Sequence, residues 1–262
     1  MEDILLVEVS RRVATVTLNR PAVRNALNGA LRRRLPTAME ELDRDEGVDV
    51  IILTGADPAF CAGLDLKELG GGGGGGGDQG EVRELIEGGN PFSPVSKPMI
   101  GAINGVAVTG GFELALNCDF LIASERANFA DTHARVGIQP GWGLTVLLPQ
   151  AVGLRRAREM STTGNFVDAR TALEWGLVNR VVAHDDLLPT CRALAADIVS
   201  NDQAGVRRIL RTYAEATAIT TTPARRLEAE VSVEWLRSGG GRPEEVERRR
   251  KAIIERGRTQ VG

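Results

Sequence analysis

The chain has 262 residues, 42% of them hydrophobic and 26% charged, a balance typical of a globular protein with one substantial domain or a domain and an appendage. Its 35 acidic and 32 basic residues give a formal net charge of −3, which argues against nucleic acid as the main partner. The three cysteines are far apart and there are two histidines, so a disulfide framework and a zinc site are disfavoured and a reducing compartment is favoured.

The start of the chain lacks the basic and apolar regions of a secretory signal. The most apolar long stretch, residues 98–116, contains Asn104, several glycines and Glu113, which a membrane-spanning helix would bury at high cost. These features predict a cytoplasmic protein without a membrane span.

Strand-like runs open the chain. Residues 4–9 and 13–18 are rich in β-branched residues and leucine, and the short polar stretch between them predicts a hairpin. Residues 25–43 predict a helix that Pro36 would bend or divide. Residues 48–53 form a continuous apolar run, which is typical of a strand buried on both faces.

Strands and helices then alternate as far as about residue 185. The later predicted strands are residues 99–108, 120–123 and 177–182, and the predicted helices begin at 112, 144, 154 and 168. Beyond them the patterning is almost wholly helical. We therefore predict an α/β core over residues 1–199 and a C-terminal helical region over residues 200–262. Residues 237–258 are strongly basic, which suggests contact with an anion or with a neighbouring acidic subunit.

Eight consecutive glycines occupy residues 70–77. Such a run cannot specify a packed conformation, so the sequence predicts a mobile loop. The loop is interpreted either as a lid over a substrate or as a linker, and the linker is the simpler interpretation.

Two glycine-containing stretches contain the candidate groups for catalysis and ligand binding. Residues 59–66 read Ala-Phe-Cys-Ala-Gly-Leu-Asp-Leu, and residues 105–114 read Gly-Val-Ala-Val-Thr-Gly-Gly-Phe-Glu-Leu. Small side chains leave the backbone N–H groups open to a ligand, and two such amides from separate loops would form an oxyanion hole for a thioester carbonyl. Glu113, one turn into the following helix, could then act as a base. Taken singly, the glycine pair also fits a tight turn, and Glu113 also fits a surface charge at the start of a helix.

Taken together and in this order, these stretches resemble the crotonase superfamily, also called the enoyl-CoA hydratase/isomerase superfamily. The further matching stretches are residues 18–21 (Leu-Asn-Arg-Pro), 25–27 (Asn-Ala-Leu), 104–107 (Asn-Gly-Val-Ala), 118–119 (Cys-Asp), 137–141 (Gly-Ile-Gln-Pro-Gly), 164–166 (Gly-Asn-Phe) with Ala169, and 172–178 (Ala-Leu-Glu-Trp-Gly-Leu-Val). The resemblance implies a repeated ββα spiral core, a C-terminal helical region used for trimerisation, and a CoA thioester as ligand. It therefore implies a homotrimer or a dimer of trimers.

The resemblance also assigns roles to individual residues. The oxyanion hole would use the backbone N–H groups of Leu64 and Gly110. The residues implied in CoA or substrate binding are Arg24, Ala62, Gly63, Asp65, Leu66, Gly111 and Trp142. Among them, Ala62 and Leu66 would line the adenine and pantetheine path, and Arg24 would pair with a phosphate.

The second acid–base position departs from the family pattern. Family hydratases hold one water between two carboxylates, of which the first falls at Glu113. Aligning Phe129 and Gly137 with the pattern places His133 at the second. Imidazole transfers protons near its ordinary pKa of about 6.5, so we expect His133 to work with Glu113 and the rate to depend on pH in that range. A His133 without a proton-transfer role is the alternative, and Asp131 is close enough in sequence to orient the imidazole or to replace the missing carboxylate.

These residues favour an enoyl-CoA hydratase, a hydro-lyase that adds water to a 2-enoyl-CoA through an enolate stabilised in the oxyanion hole. Another reaction on an acyl-CoA, such as hydrolysis or isomerisation, and a non-catalytic acyl-CoA-binding protein stay open. The missing second carboxylate counts against a simple double-bond isomerase. No metal-ligand spacing or dinucleotide-binding loop occurs, so no cofactor is expected beyond the CoA of the substrate.

Overall fold

The computed structural model describes residues 3–69, 89–239 and 242–261. In these residues the strands are β1 (Leu5–Ser10), β2 (Val13–Leu18), β3 (Val50–Gly55), β4 (Ala59–Cys61), β5 (Met99–Ile103), β6 (Val106–Val108), β7 (Phe120–Ser124), β8 (Asn128–Ala130), β9 (Val167–Asp168) and β10 (Arg180–Val182). The helices are α1 (Gly29–Arg44), α2 (Leu66–Leu69), α3 (Gly110–Leu116), α4 (His133–Val136), α5 (Leu144–Val152), α6 (Leu154–Thr163), α7 (Ala169–Trp175), α8 (Leu187–Val199), α9 (Gln203–Arg237) and α10 (Pro243–Val261). The glycine run at 70–77 lies outside the described residues.

The strands form two sheets, between which the chain alternates. The larger sheet has the order β1-β2-β3-β5-β7-β10, and its pairs are parallel except for the antiparallel pair of β1 and β2. The smaller sheet has the order β4-β6-β8-β9, and β4, β6 and β8 are parallel. Each of β3, β5 and β7 is followed by a short strand in the smaller sheet. This repetition is the ββα spiral that the sequence predicts.

The predicted strand over residues 99–108 is two strands in different sheets. Asn104 and Gly105 turn the chain between them, and Asn104 Nδ2 donates to Asp57 Oδ1 at 2.8 Å and to Ala59 O at 3.2 Å. A Cβ on Gly105 would lie 2.4 Å from Pro58 O, so only glycine fits this close approach. Several short elements were not predicted, among them α2, β8, α4 and β9, because two to four residues carry too little periodicity to detect.

Helix α1 starts four residues later than predicted. Its N-cap is Asn28, whose side chain accepts a hydrogen bond from Leu31 N at 3.0 Å, a contact worth about 1 kcal/mol. Pro36 does not divide the helix. Asn25, predicted as the helix start, is instead fully buried at φ +57°, where its side chain donates to Ala59 O at 2.7 Å and holds the turn before β4 in place.

The core of the described residues has three clusters, of which the two larger lie on opposite faces of the larger sheet and the smallest joins Val136 and Ile138 to Val246 of α10. The main cluster lies between the two sheets and extends over α1, and a second cluster joins alternate side chains of the larger sheet to α8. Strands β3 and β5 are buried on both faces, which explains their continuous apolar runs. Burial of these side chains contributes the main favourable free energy of folding.

The C-terminal helices lie against the active-site side of the core. Helix α9 contacts α5, and α10 contacts both α2 and α4. Within the residues that the structure describes, no helix is long and apolar enough to cross a bilayer.

Candidate active site

Glu113 lies in the first turn of α3 and is buried, with 3% of its surface exposed. Its Oε1 accepts hydrogen bonds from two backbone amides, Gly141 N at 3.2 Å and Trp142 N at 2.8 Å. It is therefore an oriented group inside the protein, and the interpretation of a solvated helix-start charge is wrong.

His133 stands at the start of α4, directly after β8, and is 4% exposed. Its Nε2 lies 3.4 Å from Glu113 Oε2, and its Nδ1 lies 2.6 Å from Asp131 Oδ1. The three side chains form one buried row, with the imidazole between two carboxyl groups. The tertiary structure thus brings together the two residues that the sequence singled out. It also places Asp131 against the imidazole, in the orienting position that was one of the two roles suggested for it.

The neighbours of His133 determine its charge. Burial lowers the pKa of His133, but the hydrogen bonds and charges of Asp131 and Glu113 outweigh burial and raise that pKa to about 10. Burial raises the pKa of Asp131, but its hydrogen bonds to His133 and Ser161 and the charge of His133 together outweigh burial, so that pKa lies below its usual range. The shift at His133 favours the protonated imidazole at neutral pH, with Nδ1 hydrogen-bonded to Asp131 and Nε2 facing Glu113. This corrects the expectation that His133 titrates near pH 6.5.

The two amides expected to form an oxyanion hole come from neighbouring loops. A Cβ on Gly110 would lie 3.9 Å from Leu64 Cγ, and a Cβ on Gly63 would lie 3.5 Å from Gly110 N. In the turns and loops of the described residues, neither Leu64 N nor Gly110 N donates to a backbone carbonyl. Gly63 has φ +85°, and a Cβ there would lie 2.7 Å from Val108 O, so glycine is required for the loops to meet.

Thr109, the residue before Gly110, has φ +54° and ψ −118°, a conformation that costs energy for a residue with a Cβ. Two contacts hold it there: its N–H donates to Ala130 O at 3.0 Å, and its hydroxyl lies 2.6 Å from that of Thr132. Since Thr132 precedes His133, this contact joins the Gly110 loop to the segment that carries the imidazole.

A pocket of about 440 Å³ leads from these loops to the surface. Of the residues predicted to bind CoA or substrate, Arg24, Ala62, Asp65 and Leu66 line it, together with Leu64. The basic residues in its lining are Arg24, Lys67, Arg135, Arg250 and Arg258, against the single acidic Asp65. A basic pocket fits an anionic ligand such as a CoA ester. Arg250 and Arg258 belong to the basic C-terminal segment for which the sequence suggested an anion.

Three predicted binding residues have structural contacts that the sequence did not show. A Cβ on Gly111 would lie 2.3 Å from Cys61 O, so Gly111 permits close packing of α3 on β4 and is absent from the lining of the pocket. Asp65 pairs with Arg20 at 3.1 Å and faces the pocket from that ion pair. Trp142 is 6% exposed and packs against Gly110, with its ring carbon Cζ3 3.3 Å from a Cβ built there.

Residues 8–245 match the model of the family described as Enoyl-CoA hydratase/isomerase. The chain is 42% identical over 198 residues to a probable enoyl-CoA hydratase of Rhizobium meliloti, covering 76% of both proteins. It is 41% identical over 197 residues to the probable peroxisomal enoyl-CoA hydratase 1 of Arabidopsis thaliana, covering 75% of this chain and 73% of that one.

Solved structures agree with the sequence comparisons. The enoyl-CoA hydratase of Mycobacterium smegmatis superposes with a TM-score of 0.81 at 51% identity, covering 90% of this chain and all of that one. The enoyl-CoA hydratase of Mycobacterium tuberculosis H37Rv gives a TM-score of 0.81 at 52% identity, covering 90% and 99% of the two chains. The chain therefore belongs to the enoyl-CoA hydratase/isomerase family, the crotonase superfamily.

Proposed function

We propose that this protein adds water to a 2-enoyl-CoA, with Glu113 and His133 as its acid–base pair. Its family and its relatives make it an acyl-CoA-processing enzyme of the enoyl-CoA hydratase type, a hydro-lyase. The observation that carries the assignment of residues is the buried contact of 3.4 Å between Glu113 and His133, close to the Leu64 and Gly110 amides.

In the proposed reaction the thioester oxygen accepts hydrogen bonds from Leu64 N and Gly110 N. Glu113 takes a proton from water as the water oxygen bonds to C3 of the enoyl group. The C2–C3 π electrons move toward the thioester carbonyl, and the two amides stabilise the resulting enolate. His133 then delivers its Nε2 proton to C2, which completes the addition of one water molecule.

The same contact allows the site to reset. After one turnover Glu113 carries the proton from water and His133 has lost its Nε2 proton. Because Glu113 Oε2 and His133 Nε2 lie 3.4 Å apart, the proton can pass directly from carboxyl to imidazole. Asp131 remains hydrogen-bonded to Nδ1 throughout and fixes the orientation of the ring.

The basic pocket supplies the binding energy in this proposal. Arg24 and the basic side chains of α10 would meet the phosphates of CoA, and Ala62 and Leu66 would line the path of the adenine and pantetheine. The residues of the site perform acid–base chemistry and hydrogen bonding alone, so no metal or redox cofactor is required. We expect CoA-ester binding to persist in a chelator, as measured by calorimetry.

We also propose a homotrimer or a dimer of trimers. Helix α9 exposes several large apolar side chains, Ile209, Tyr213, Leu227, Val231 and Trp235, which a neighbouring subunit would cover. Light scattering after gel filtration measures the mass directly. A monomer at micromolar concentration would contradict this assembly.

The test of function is a spectrophotometric assay of crotonyl-CoA hydration run beside a binding titration with the same ester, with products identified by mass. Loss of the enoyl absorbance and formation of 3-hydroxybutyryl-CoA are expected. Binding without turnover would instead favour an acyl-CoA-binding protein, and release of free CoA would favour a hydrolase.

A further inference from the structure

One face of α9 contacts the backbone of residues 137–145, the segment that follows α4. Glu228 accepts hydrogen bonds from Gly143 N at 2.5 Å and Thr145 N at 2.6 Å. One turn further along the helix, Ser232 Oγ donates to Gln139 O at 3.4 Å, and Trp235 Nε1 donates to Gly137 O at 2.7 Å. Positions 228, 232 and 235 are four and three residues apart, so they lie on the same side of the helix.

The same segment also makes hydrogen bonds to Glu113 and His133, the proposed acid–base pair. Its amides at Gly141 and Trp142 donate to Glu113 Oε1, and its first amide, Gly137 N, donates to His133 O at 2.9 Å. The contacts of Glu228 fall one and three residues after Trp142. Helix α9 therefore acts on the backbone that orients Glu113 without itself touching that carboxylate.

Glu228 is unusual among the carboxylates of α9 because it is buried, with 7% of its surface exposed. Burial and the charge of Glu113 raise its pKa, against the hydrogen bonds from Thr145 and Gly143. A buried carboxylate is costly unless its oxygens are hydrogen-bonded. Here both oxygens are, by the two amides and by the hydroxyl of Thr145.

A second connection runs in parallel, one turn earlier in the helix. Arg225 donates to Asn117 Oδ1 at 3.2 Å, and Asn117 Nδ2 donates to Trp142 O at 2.9 Å. The amide and carbonyl groups of Trp142 are thus both fixed, the first by Glu113 and the second through Asn117. Arg225 also places a positive charge near Glu228 and Glu113.

We propose that Glu228 is a positioning residue for the acid–base pair, acting through Gly143 and Thr145 on the two amides that orient Glu113. The inference rests on the proposed function, since it concerns the same reaction. It makes the C-terminal helical region part of the active-site machinery and gives α9 a role besides assembly.

The test is Glu228→Gln, with Glu230→Gln as the matched control, because Glu230 is an exposed carboxylate on the same helix. A glutamine keeps the size of the side chain but turns an NH₂ group toward an N–H donor, so one of the two amide contacts is lost. We expect kcat for crotonyl-CoA to fall about tenfold, because a misplaced base loses orientation. KM, and the Kd of unreactive butyryl-CoA, should stay within about twofold, because the pocket is lined by other residues.

Two further variants separate positioning from folding. Glu228→Asp keeps the charge and both oxygens and should recover part of the lost kcat. Trp235→Phe removes the hydrogen bond to Gly137 O from a partly exposed side chain, so it should fold and lower kcat about threefold. Light scattering is its control, because Trp235 also belongs to the apolar face proposed for assembly. If Glu228→Gln folds, as judged by circular dichroism, and keeps wild-type kcat, the inference is wrong. If it does not fold, Glu228→Asp takes its place: its shorter side chain cannot reach both Gly143 N and Thr145 N as the glutamate does, so wild-type kcat in a folded Glu228→Asp protein decides against the inference. A wild-type protein without hydratase activity would instead refute the proposed function.

Discussion

The chain has two histidines, and each of them bridges two side chains. His133 lies between Asp131 and Glu113, and its side chain is 5% exposed. His184 lies between Ser124 Oγ and Asp57 Oδ2, at 3.0 Å from each, and the Asp57 side chain is 61% exposed. One imidazole therefore has two buried carboxylates as neighbours, and the other has a buried hydroxyl and a solvated carboxylate.

The difference is the reason that we propose an acid–base role for His133 and not for His184. An aspartate on one ring nitrogen is common to both sites. Only His133 has an acid–base partner on its other nitrogen and lies near backbone amides that could stabilise an oxyanion. His184 joins the residues after β10 to the end of β7 and to the turn before β4, which is a structural role.

The largest effect is expected from the partner that distinguishes the two sites. Glu113→Gln keeps the shape of the side chain and removes the base, so kcat should fall by about 10²–10⁴-fold. Binding of butyryl-CoA should change little, because Glu113 is not part of the pocket lining. Turnover assays and calorimetry measure the two effects separately. Wild-type turnover in this variant would mean that Glu113 has a structural role and is not the base.

Replacing each histidine in turn tests the comparison directly. His133→Gln should lower kcat at least about tenfold through loss of the acid, whereas His184→Gln should leave kcat within about twofold. Steady-state kinetics at neutral pH, with circular dichroism as the control for folding, provide the measurement. Equal losses in the two variants would show that burial between two carboxylates does not set His133 apart.

The pH profile sharpens the comparison. Because the pKa of His133 is raised to about 10, the wild-type kcat should hold through pH 8 and decline only as the pH approaches that value. Asp131→Asn removes one of the two carboxylates that stabilise the imidazolium, so the decline should move toward the ordinary value of about 6.5. At pH 9 we expect about tenfold lower activity relative to wild type. A decline at the same pH in both proteins would mean that another group controls it.

The last effect concerns stability and not turnover. In the unfolded chain His133 has its ordinary pKa of 6.5, and in the folded protein about 10. Its protonation therefore stabilises the fold fully below pH 6.5, and that contribution is lost as the pH rises through about 10. The Tm of the wild type minus the Tm of His133→Gln should therefore decrease as the pH rises from 6.5 to 10. Calorimetric scans across this range measure it, and a constant difference would argue against the raised pKa.

Much of the site could be predicted because its motifs are local. Gly63, before Leu64, and Gly110 indicate places where the backbone can approach a ligand closely. The stretch around Gly110 also predicts that Glu113 lies in the first turn of the following helix. The pKa of His133 could not be predicted, because it depends on distances to Glu113, twenty residues away in the chain. Lys67 and Arg135 in the pocket were also missed, since an isolated basic residue in a sequence does not indicate which way it faces.

By itself, the sequence determined the alternation of strands and helices and the two glycine loops, and it pointed to the residues that we propose as the acid–base pair. These features depend on short-range periodicity and on backbone conformations that only certain residues adopt. Only the tertiary structure decided that residues 99–108 divide between two sheets, that Asp131 and Glu113 raise the pKa of His133, and that Glu228 on a distant helix holds the segment behind Glu113. The energies of hydrogen bonds and of charge interactions depend on the distance between groups in space. That distance is set by tertiary packing and cannot be read from the spacing of residues along the chain.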